Sequence, residues 1–261
     1  MRETLEALAA GEISVTAAES QLAGYATSEA GRFDAAREQR RGVPEAVLGD
    51  GKTPDEVAEL VGLAVETTGR GLATRVDSTT ADAVADRLAA EQLDATTTFD
   101  ERTGVLRAHA AGYESPDLDA VVGVVTAGTA DAGPAGEAAA VASEMGATVE
   151  QVDDVGVAGL HRALDRLEDI RRADVLVVAA GREGALPTVL AGLVDAPVIG
   201  LPVASGYGHG GNGEAALAGL LQSCTVLTVV NVDAGFVAGA QAGLIARAID
   251  AARDREPQRD G

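Results

Sequence analysis

The segment from Asp117 to Ala252 alternates β-branched runs with Gly- or Pro-bearing turns and Ala-rich amphipathic stretches. The apolar runs are AVVGVVTAG, ATVEQV, DVLVVAAG, APVIGLPV and TVLTVVNV. Because these runs are continuous rather than alternating, each strand is expected to be buried on both faces, with helices covering both sides of the sheet. The pattern therefore predicts an α/β domain built on a doubly wound parallel sheet.

The residues before Asp117 have a different texture. Charged helical stretches such as TPDEVAELVGLAVETTG and TTADAVADRLAAEQ are separated by short strand candidates around GLATRV, TTTFD and VLRAHA. We predict a smaller α+β domain over residues 1–115, the α/β domain over residues 116–254, and a polar tail over residues 255–261.

The charge balance limits the partners of the chain. Lys and Arg total 20 against 41 Asp and Glu, the formal net charge is -21, and Lys52 is the sole lysine. This argues against nucleic-acid binding through a basic patch and favours adaptation to high salt, with an ordinary acidic protein as the alternative. No apolar run approaches the ~20 residues of a membrane helix, and glutamates interrupt the N-terminus, so we expect a cytoplasmic protein without membrane contact.

The loops that follow the predicted strands are the candidate site elements, because ligands of parallel α/β sheets bind beyond the carboxyl ends of the strands. These loops are TAGTAD, AGREGALP, PVASGYGHGGNG and NVDAGF. In the first, small residues allow backbone N–H groups to approach an anion, and an ordinary turn capped by Asp131 is the alternative. The second supplies Arg182 and Glu183. The third reads as a glycine-rich pocket wall or as a flexible linker.

Cys224 is the only cysteine. A single cysteine excludes an internal disulfide framework and a cysteine-based zinc cage. From the residues alone, Cys224 is either a buried structural cysteine or a nucleophile.

Taken together, TAGTAD, AGREGALPTVLAGL, PVASGYG, LLQSC and NVDAGF resemble the LarB family, the carboxylase-hydrolases that begin nickel-pincer cofactor synthesis and so serve lactate racemase maturation. RRGVPEAVLGDGKTPDEV and GLATR in the first domain also look like this family. The second domain is similar to the AIR carboxylases of purine synthesis, whose kin assemble into octamers.

The resemblance implies carboxylation of the pyridinium ring of nicotinic acid adenine dinucleotide at C5, by CO2 or bicarbonate, and cleavage of its phosphoanhydride to pyridinium-3,5-biscarboxylic acid mononucleotide and AMP. It implies that Cys224 is the nucleophile and that Glu183 and Asp131 are further catalytic residues. It also implies a homo-octamer and no organic cofactor, while Mg²⁺ on the diphosphate stays open. The substrate-binding residues that it implies are Thr126, Gly128, Thr129, Arg182, Ser205, Gly206, Tyr207, Gly208, Asn231 and Asp233.

The chain departs from the family pattern in the last loop, where Ala234 and Val237 replace a common Asn and Gly. It departs from the AIR carboxylases at Ala185, where those enzymes carry a catalytic His before the Leu-Pro pair. An AIR carboxylase or mutase and a non-catalytic nucleotide-binding module are the alternative readings.

Overall fold

The computed structural model describes residues 1–255, and the chain divides into two compact units, Met1–Glu114 and Ser115–Gly261. Residues 256–261, nearly all of the predicted polar tail, lie outside the described residues. Within residues 1–255, no helix is both long enough and apolar enough to cross a membrane.

The first unit mixes helices with a small sheet. Its helices are α1 (Arg2–Ala10), α2 (Val15–Ala23), α3 (Arg37–Arg41), α4 (Pro54–Thr68) and α5 (Ser78–Ala90). Its strands are β1 (Ala26–Thr27), β2 (Arg32–Phe33), β3 (Val47–Leu48), β4 (Arg70–Thr74), β5 (Ala95–Asp100) and β6 (Val105–Ala110). The main sheet has the order β3-β4-β6-β5, with β3 parallel to β4 and the other pairs antiparallel.

Helix α4 shows how the sequence builds this unit. Thr53 and Glu56 form a reciprocal capping box at its start, and Pro54 occupies the first turn, where its missing N–H costs nothing. Val57, Val61 and Val65 of this helix are buried in the core that it shares with α5 and the sheet. The predicted smaller α+β fold before the sheet domain is confirmed.

The second unit alternates strands with helices. Its strands are β7 (Val121–Thr126), β8 (Thr148–Val152), β9 (Val175–Ala180), β10 (Val198–Pro202) and β11 (Thr228–Val229). Its helices are α6 (Ala132–Glu144), α7 (Leu160–Asp165), α8 (Leu167–Ile170), α9 (Ala185–Ala191), α10 (Glu214–Leu221) and α11 (Gly235–Arg253), and 3-10 turns precede α6 (Thr129–Asp131) and α7 (Val157–Gly159).

The five strands form one parallel sheet in the order β11-β10-β9-β7-β8. Successive residues of β9 supply two separate cores. Val175, Val177 and Ala179 pack in the cluster that includes α6 and α11, whereas Leu176 and Val178 pack in the cluster that includes α8 and α9. Helices therefore cover both faces, and the predicted doubly wound fold is confirmed.

Small residues let helices α6 and α11 approach closely on one face of the sheet. A Cβ on Gly239 of α11 would lie only 2.3 Å from the carbonyl oxygen of Ala138 in α6. The small residues of these helices thus permit tight helix packing. The loops at the carboxyl ends of the strands are where a site is expected.

Candidate active site

A cleft of about 500 Å³ opens beyond the carboxyl ends of β7, β9 and β10. The strand-end rule that selected these loops is the reason that they meet here. Of the residues predicted for the site, the cleft brings together Gly128, Thr129, Asp131, Arg182, Glu183, Ser205 and Tyr207.

Asp131 forms the polar floor of this arrangement. Its side chain is only 3% exposed, and it accepts hydrogen bonds from the Ser205 hydroxyl at 2.8 Å and from the Gly128 N–H at 2.8 Å. Burial raises the pKa of the Asp131 carboxyl above its ordinary value, although these hydrogen bonds oppose the shift. Ser205 therefore holds Asp131, and a side chain on Gly181 would collide with its hydroxyl.

Arg182 and Tyr207 form a stacked pair on one wall. The guanidinium carbon lies 4.1 Å from the centre of the tyrosine ring, and one guanidinium nitrogen donates to the phenol oxygen at 3.0 Å. Arg182 adopts a left-handed backbone conformation, with φ of 53°, immediately before the exposed Glu183. Backbone strain of this kind in a non-glycine residue requires support from its surroundings, and Gly206 packs against the Arg182 backbone.

The opposite wall comes from the loop after β8, which the sequence reasoning missed. Asp154, Gly156 and Arg162 line the cleft there, and Arg162 forms an ion pair with Asp154 at 2.7 Å. The strand-end rule points to this loop as well, since DDVGVAGLHR directly follows the run ATVEQV. The cleft thus offers a cationic side chain on each of two walls.

Thr126 supports this second wall from below. It is 2% exposed, its hydroxyl donates to Asp153 at 3.0 Å, and it accepts from the Asp154 N–H at 3.1 Å. Both hydrogen-bonding capacities of the hydroxyl are therefore used within the protein. Thr126 is not among the described residues that line the cleft. Its side chain instead supports the loop that carries Arg162.

Four other predicted residues also lie off the described lining of the cleft: Gly206, Gly208, Asn231 and Asp233. Asp233 accepts a hydrogen bond from the Ala204 N–H at 3.0 Å, so it braces the base of the Ser205 loop. Asn231 accepts from the N–H of its neighbour Val232 at 2.9 Å. No group of three or more His, Cys, Asp or Glu side chains within the described residues is placed to hold a metal ion.

Comparison with known proteins gives this geometry a family. The AIR carboxylase family model matches residues 121–260, and the LarB/PurE-like N-terminal domain matches residues 25–104. An uncharacterized protein of Methanocaldococcus jannaschii is 36% identical over 254 residues, covering 95% of this chain and 97% of its own. The chain belongs to the LarB-like family.

A solved structure of a PurE2 variant from Treponema denticola is also similar, with 15% identity, a TM-score of 0.37, and coverage of 56% of this chain and 99% of its own. The two family models together span both units of the LarB-like chain. The family is one of carboxylase-type enzymes, and the AIR carboxylase model covers all the strand-end loops that form the cleft.

Cys224 of the LarB-like protein is exposed, so the reading as a buried structural cysteine is wrong. It lies in the turn between α10 and β11, on the amino-terminal side of β11, and the described lining of the cleft does not include it. Within a single chain, Glu183 therefore lines the cleft, whereas the Cys224 sulfur lies at the surface outside it.

A network of hydroxyl groups fixes the turn that carries Cys224. Thr188 of α9 donates to the Ser223 hydroxyl at 3.0 Å, and the Ser223 and Thr225 hydroxyls lie 2.8 Å apart. The Ser223 oxygen also accepts from the Thr225 N–H at 3.2 Å. The residues on both sides of Cys224 are thus tied to the same helix that follows Glu183.

Helix α10 packs directly on the Glu183 turn. A Cβ on Gly219 would lie 2.2 Å from the Glu183 carbonyl oxygen, and one on Gly184 would lie 2.6 Å from the Ala216 carbonyl oxygen. Together with the Thr188 network, these contacts join Glu183, α9, α10 and the cysteine turn into one closely packed part of the unit.

Proposed function

We propose that this LarB-like protein carboxylates the pyridinium ring of nicotinic acid adenine dinucleotide at C5 and hydrolyses the phosphoanhydride. The products are pyridinium-3,5-biscarboxylic acid mononucleotide and AMP, which is the first step of nickel-pincer cofactor synthesis. The observation that supports this best is the exposed thiol of Cys224, the only cysteine in the sequence, held in a hydrogen-bonded turn.

The chemistry requires a nucleophile because C5 of a pyridinium cation is electron-poor and does not attack carbon dioxide. Addition of the Cys224 thiolate to C4 or C6 forms a C–S bond and moves a ring electron pair onto the nitrogen, giving an enamine whose C5 is nucleophilic. C5 then bonds to carbon dioxide. Loss of the C5 proton and departure of the thiolate restore the aromatic cation, so electrons and atoms balance.

Glu183 is the proposed acceptor of the C5 proton. It is an exposed carboxylate on the cleft wall, and the close packing of α10 on its turn fixes the backbone from which this carboxylate extends. Asp131 serves as a fixed hydrogen-bonding group at the floor. Arg162 and Arg182 suit the phosphate and carboxylate groups of the substrate, since guanidinium groups bind such anions by paired hydrogen bonds.

Because Cys224 lies outside the cleft of its own chain, we propose that the enzyme is an oligomer, and we keep the octamer that the family resemblance implies. Near the cysteine, Leu221 is 65% exposed and Val226 is 96% exposed, and contact with a second copy would remove this apolar surface from water. We propose that a second copy of the chain covers this surface and that the cleft of this second copy receives the Cys224 sulfur. Each site then contains Glu183 from one chain and Cys224 from another.

The AIR carboxylase match keeps a second candidate function in place, because the same family model includes purine-synthesis enzymes. Ala185 stands at the entrance to α9, where an AIR carboxylase-type histidine would be required. A non-catalytic nucleotide-binding module would use the same cleft without chemistry.

The experiment supplies the protein with ¹³C-bicarbonate and, separately, nicotinic acid adenine dinucleotide or aminoimidazole ribonucleotide, and follows labelled product and AMP by mass spectrometry. We expect label in the pyridinium mononucleotide with the wild type and none with Cys224→Ser. Undiminished incorporation by Cys224→Ser would overturn the thiolate mechanism. Turnover of the imidazole substrate alone would establish the purine reading, and binding without turnover of either would establish the module.

A further inference from the structure

The stacked pair of Arg182 and Tyr207 leaves a large flat surface open at the cleft. The guanidinium covers one face of the tyrosine ring at 4.1 Å, and yet Tyr207 remains 76% exposed. A guanidinium nitrogen of Arg182 also donates to the phenol oxygen at 3.0 Å, which ties the ring to this support. Both side chains line the cleft.

This exposure needs a physical reason. An aromatic ring left in water forgoes the favourable burial that such side chains normally gain, by about 25 cal/mol per Å² of apolar surface. Tyr207 nevertheless stands in a loop that Gly206 brings against the backbone of Arg182, so its position is set by packing. A planar ligand on the open face would bury the ring without moving its support.

The charge of Arg182 restricts the kind of ring that stacks there. A guanidinium behind the tyrosine ring repels a second cation on the other face and leaves a neutral ring unaffected. The proposed substrate carries a nicotinate ring, with a cationic nitrogen inside the ring and a carboxylate on it, and a neutral adenine. Adenine is therefore the ring that fits this surface.

We propose that Tyr207, supported by Arg182, is the stacking platform for the adenine base of a dinucleotide substrate. The proposal rests on the proposed function for the identity of the substrate. It gives the site two ends, with the adenine on the Tyr207 wall and the reacting ring elsewhere in the cleft. Tyr207 then determines the preference for a dinucleotide over a mononucleotide.

The test measures the affinity of AMP by isothermal titration calorimetry for the full-length wild type, Tyr207→Ala and Tyr207→Phe. Removal of the ring should weaken AMP binding roughly 10- to 100-fold, the range found for loss of base–aromatic stacking. The Phe variant keeps the ring and should stay within about threefold of wild type. Tyr25 provides a matched control, because it also has an arginine, Arg32, over its ring at 5.3 Å and is 44% exposed, but it lies in the other unit.

A second measurement separates this proposal from the proposed function. By the same calorimetry, Tyr207→Ala should weaken the binding of nicotinic acid adenine dinucleotide and leave the affinity for nicotinic acid mononucleotide unchanged. Unchanged AMP affinity in Tyr207→Ala, or an equal loss of affinity for both nucleotides, would overturn the platform. Loss of AMP binding in Tyr207→Ala together with a wild type that incorporates no label would support the platform and overturn the carboxylase.

Discussion

Replacement of Gly219 by Ala tests whether α10 positions the Glu183 turn. Glycine within a helix is usually a weakness, and alanine there normally gains about 1 kcal/mol. At Gly219 the new Cβ would lie 2.2 Å from the Glu183 carbonyl oxygen, about 1.2 Å inside the ordinary contact distance of 3.4 Å. Because the obstacle is backbone, no side-chain rotation relieves it, and the helix or the turn has to move.

The two effects have opposite signs, and the magnitudes decide between them. Overpacking costs about 1–3 kcal/mol, and an overlap with rigid backbone belongs at the upper end of that range. Subtracting the helix gain leaves a net loss of about 2 kcal/mol, which corresponds to a fall in Tm of about 4–8 °C for a unit of this size. A displacement of about 1 Å at Glu183 should also lower kcat by about 10²-fold.

Thermal unfolding and the ¹³C assay measure both consequences. Gly133→Ala in α6 is the matched control, since a Cβ at Gly133 meets nothing within 4 Å and only the helix propensity changes. We expect the control to raise Tm slightly and to keep full activity. Gly219→Ala with the stability and activity of the control would refute the close support of Glu183 by α10.

Three further predictions concern stability, the cysteine turn and assembly. Burial raises the pKa of the Asp174 carboxyl, but hydrogen bonds from Arg253 and the Val121 N–H outweigh burial and lower this pKa overall. The stability that Asp174 provides is therefore present above about pH 4 and is lost as the pH falls through the pKa of the folded state. The Tm deficit of Asp174→Asn at pH 7 should therefore shrink in acid, and a constant deficit would contradict this. Thr188→Val should lower kcat about 10-fold by releasing the cysteine turn, and Thr188→Ser should restore it; failure of the rescue would remove the hydroxyl role. Co-expressed Cys224→Ser and Glu183→Gln chains, each inactive alone, should regain incorporation in mixed oligomers, whereas no recovery would contradict a shared site.

The fold follows from local patterns that the sequence displays directly. Continuous apolar runs predict strands buried on both faces, and β9 indeed packs on two cores with alternate residues. The start of α4 is determined locally, because its capping box joins Thr53 to Glu56 within four adjacent residues. The strand-end rule likewise places Asp131, Glu183 and Ser205 around one cleft.

The remaining features depend on contacts between distant residues. Ser205 donates to Asp131 across a separation of 74 residues, which no local pattern reports. The sequence predicts that Thr126 begins the loop after β7, but it is the last residue of that strand, and its hydroxyl contacts Asp153 in the loop after β8. The surface position of Cys224 depends on where α10 ends relative to the sheet. Tertiary packing therefore decides which predicted residues reach the cleft.

Exchange of the ring hydrogen at C5 tests most directly whether Cys224 makes this carbon nucleophilic. In D2O without carbon dioxide, thiolate addition should let C5 take up a deuteron and Glu183 should remove the original proton. Proton NMR of nicotinic acid adenine dinucleotide should then show loss of the C5 signal with wild type and its retention with Cys224→Ser. Retention of that signal with a wild type that carboxylates, or equal loss with Cys224→Ser, would contradict the mechanism.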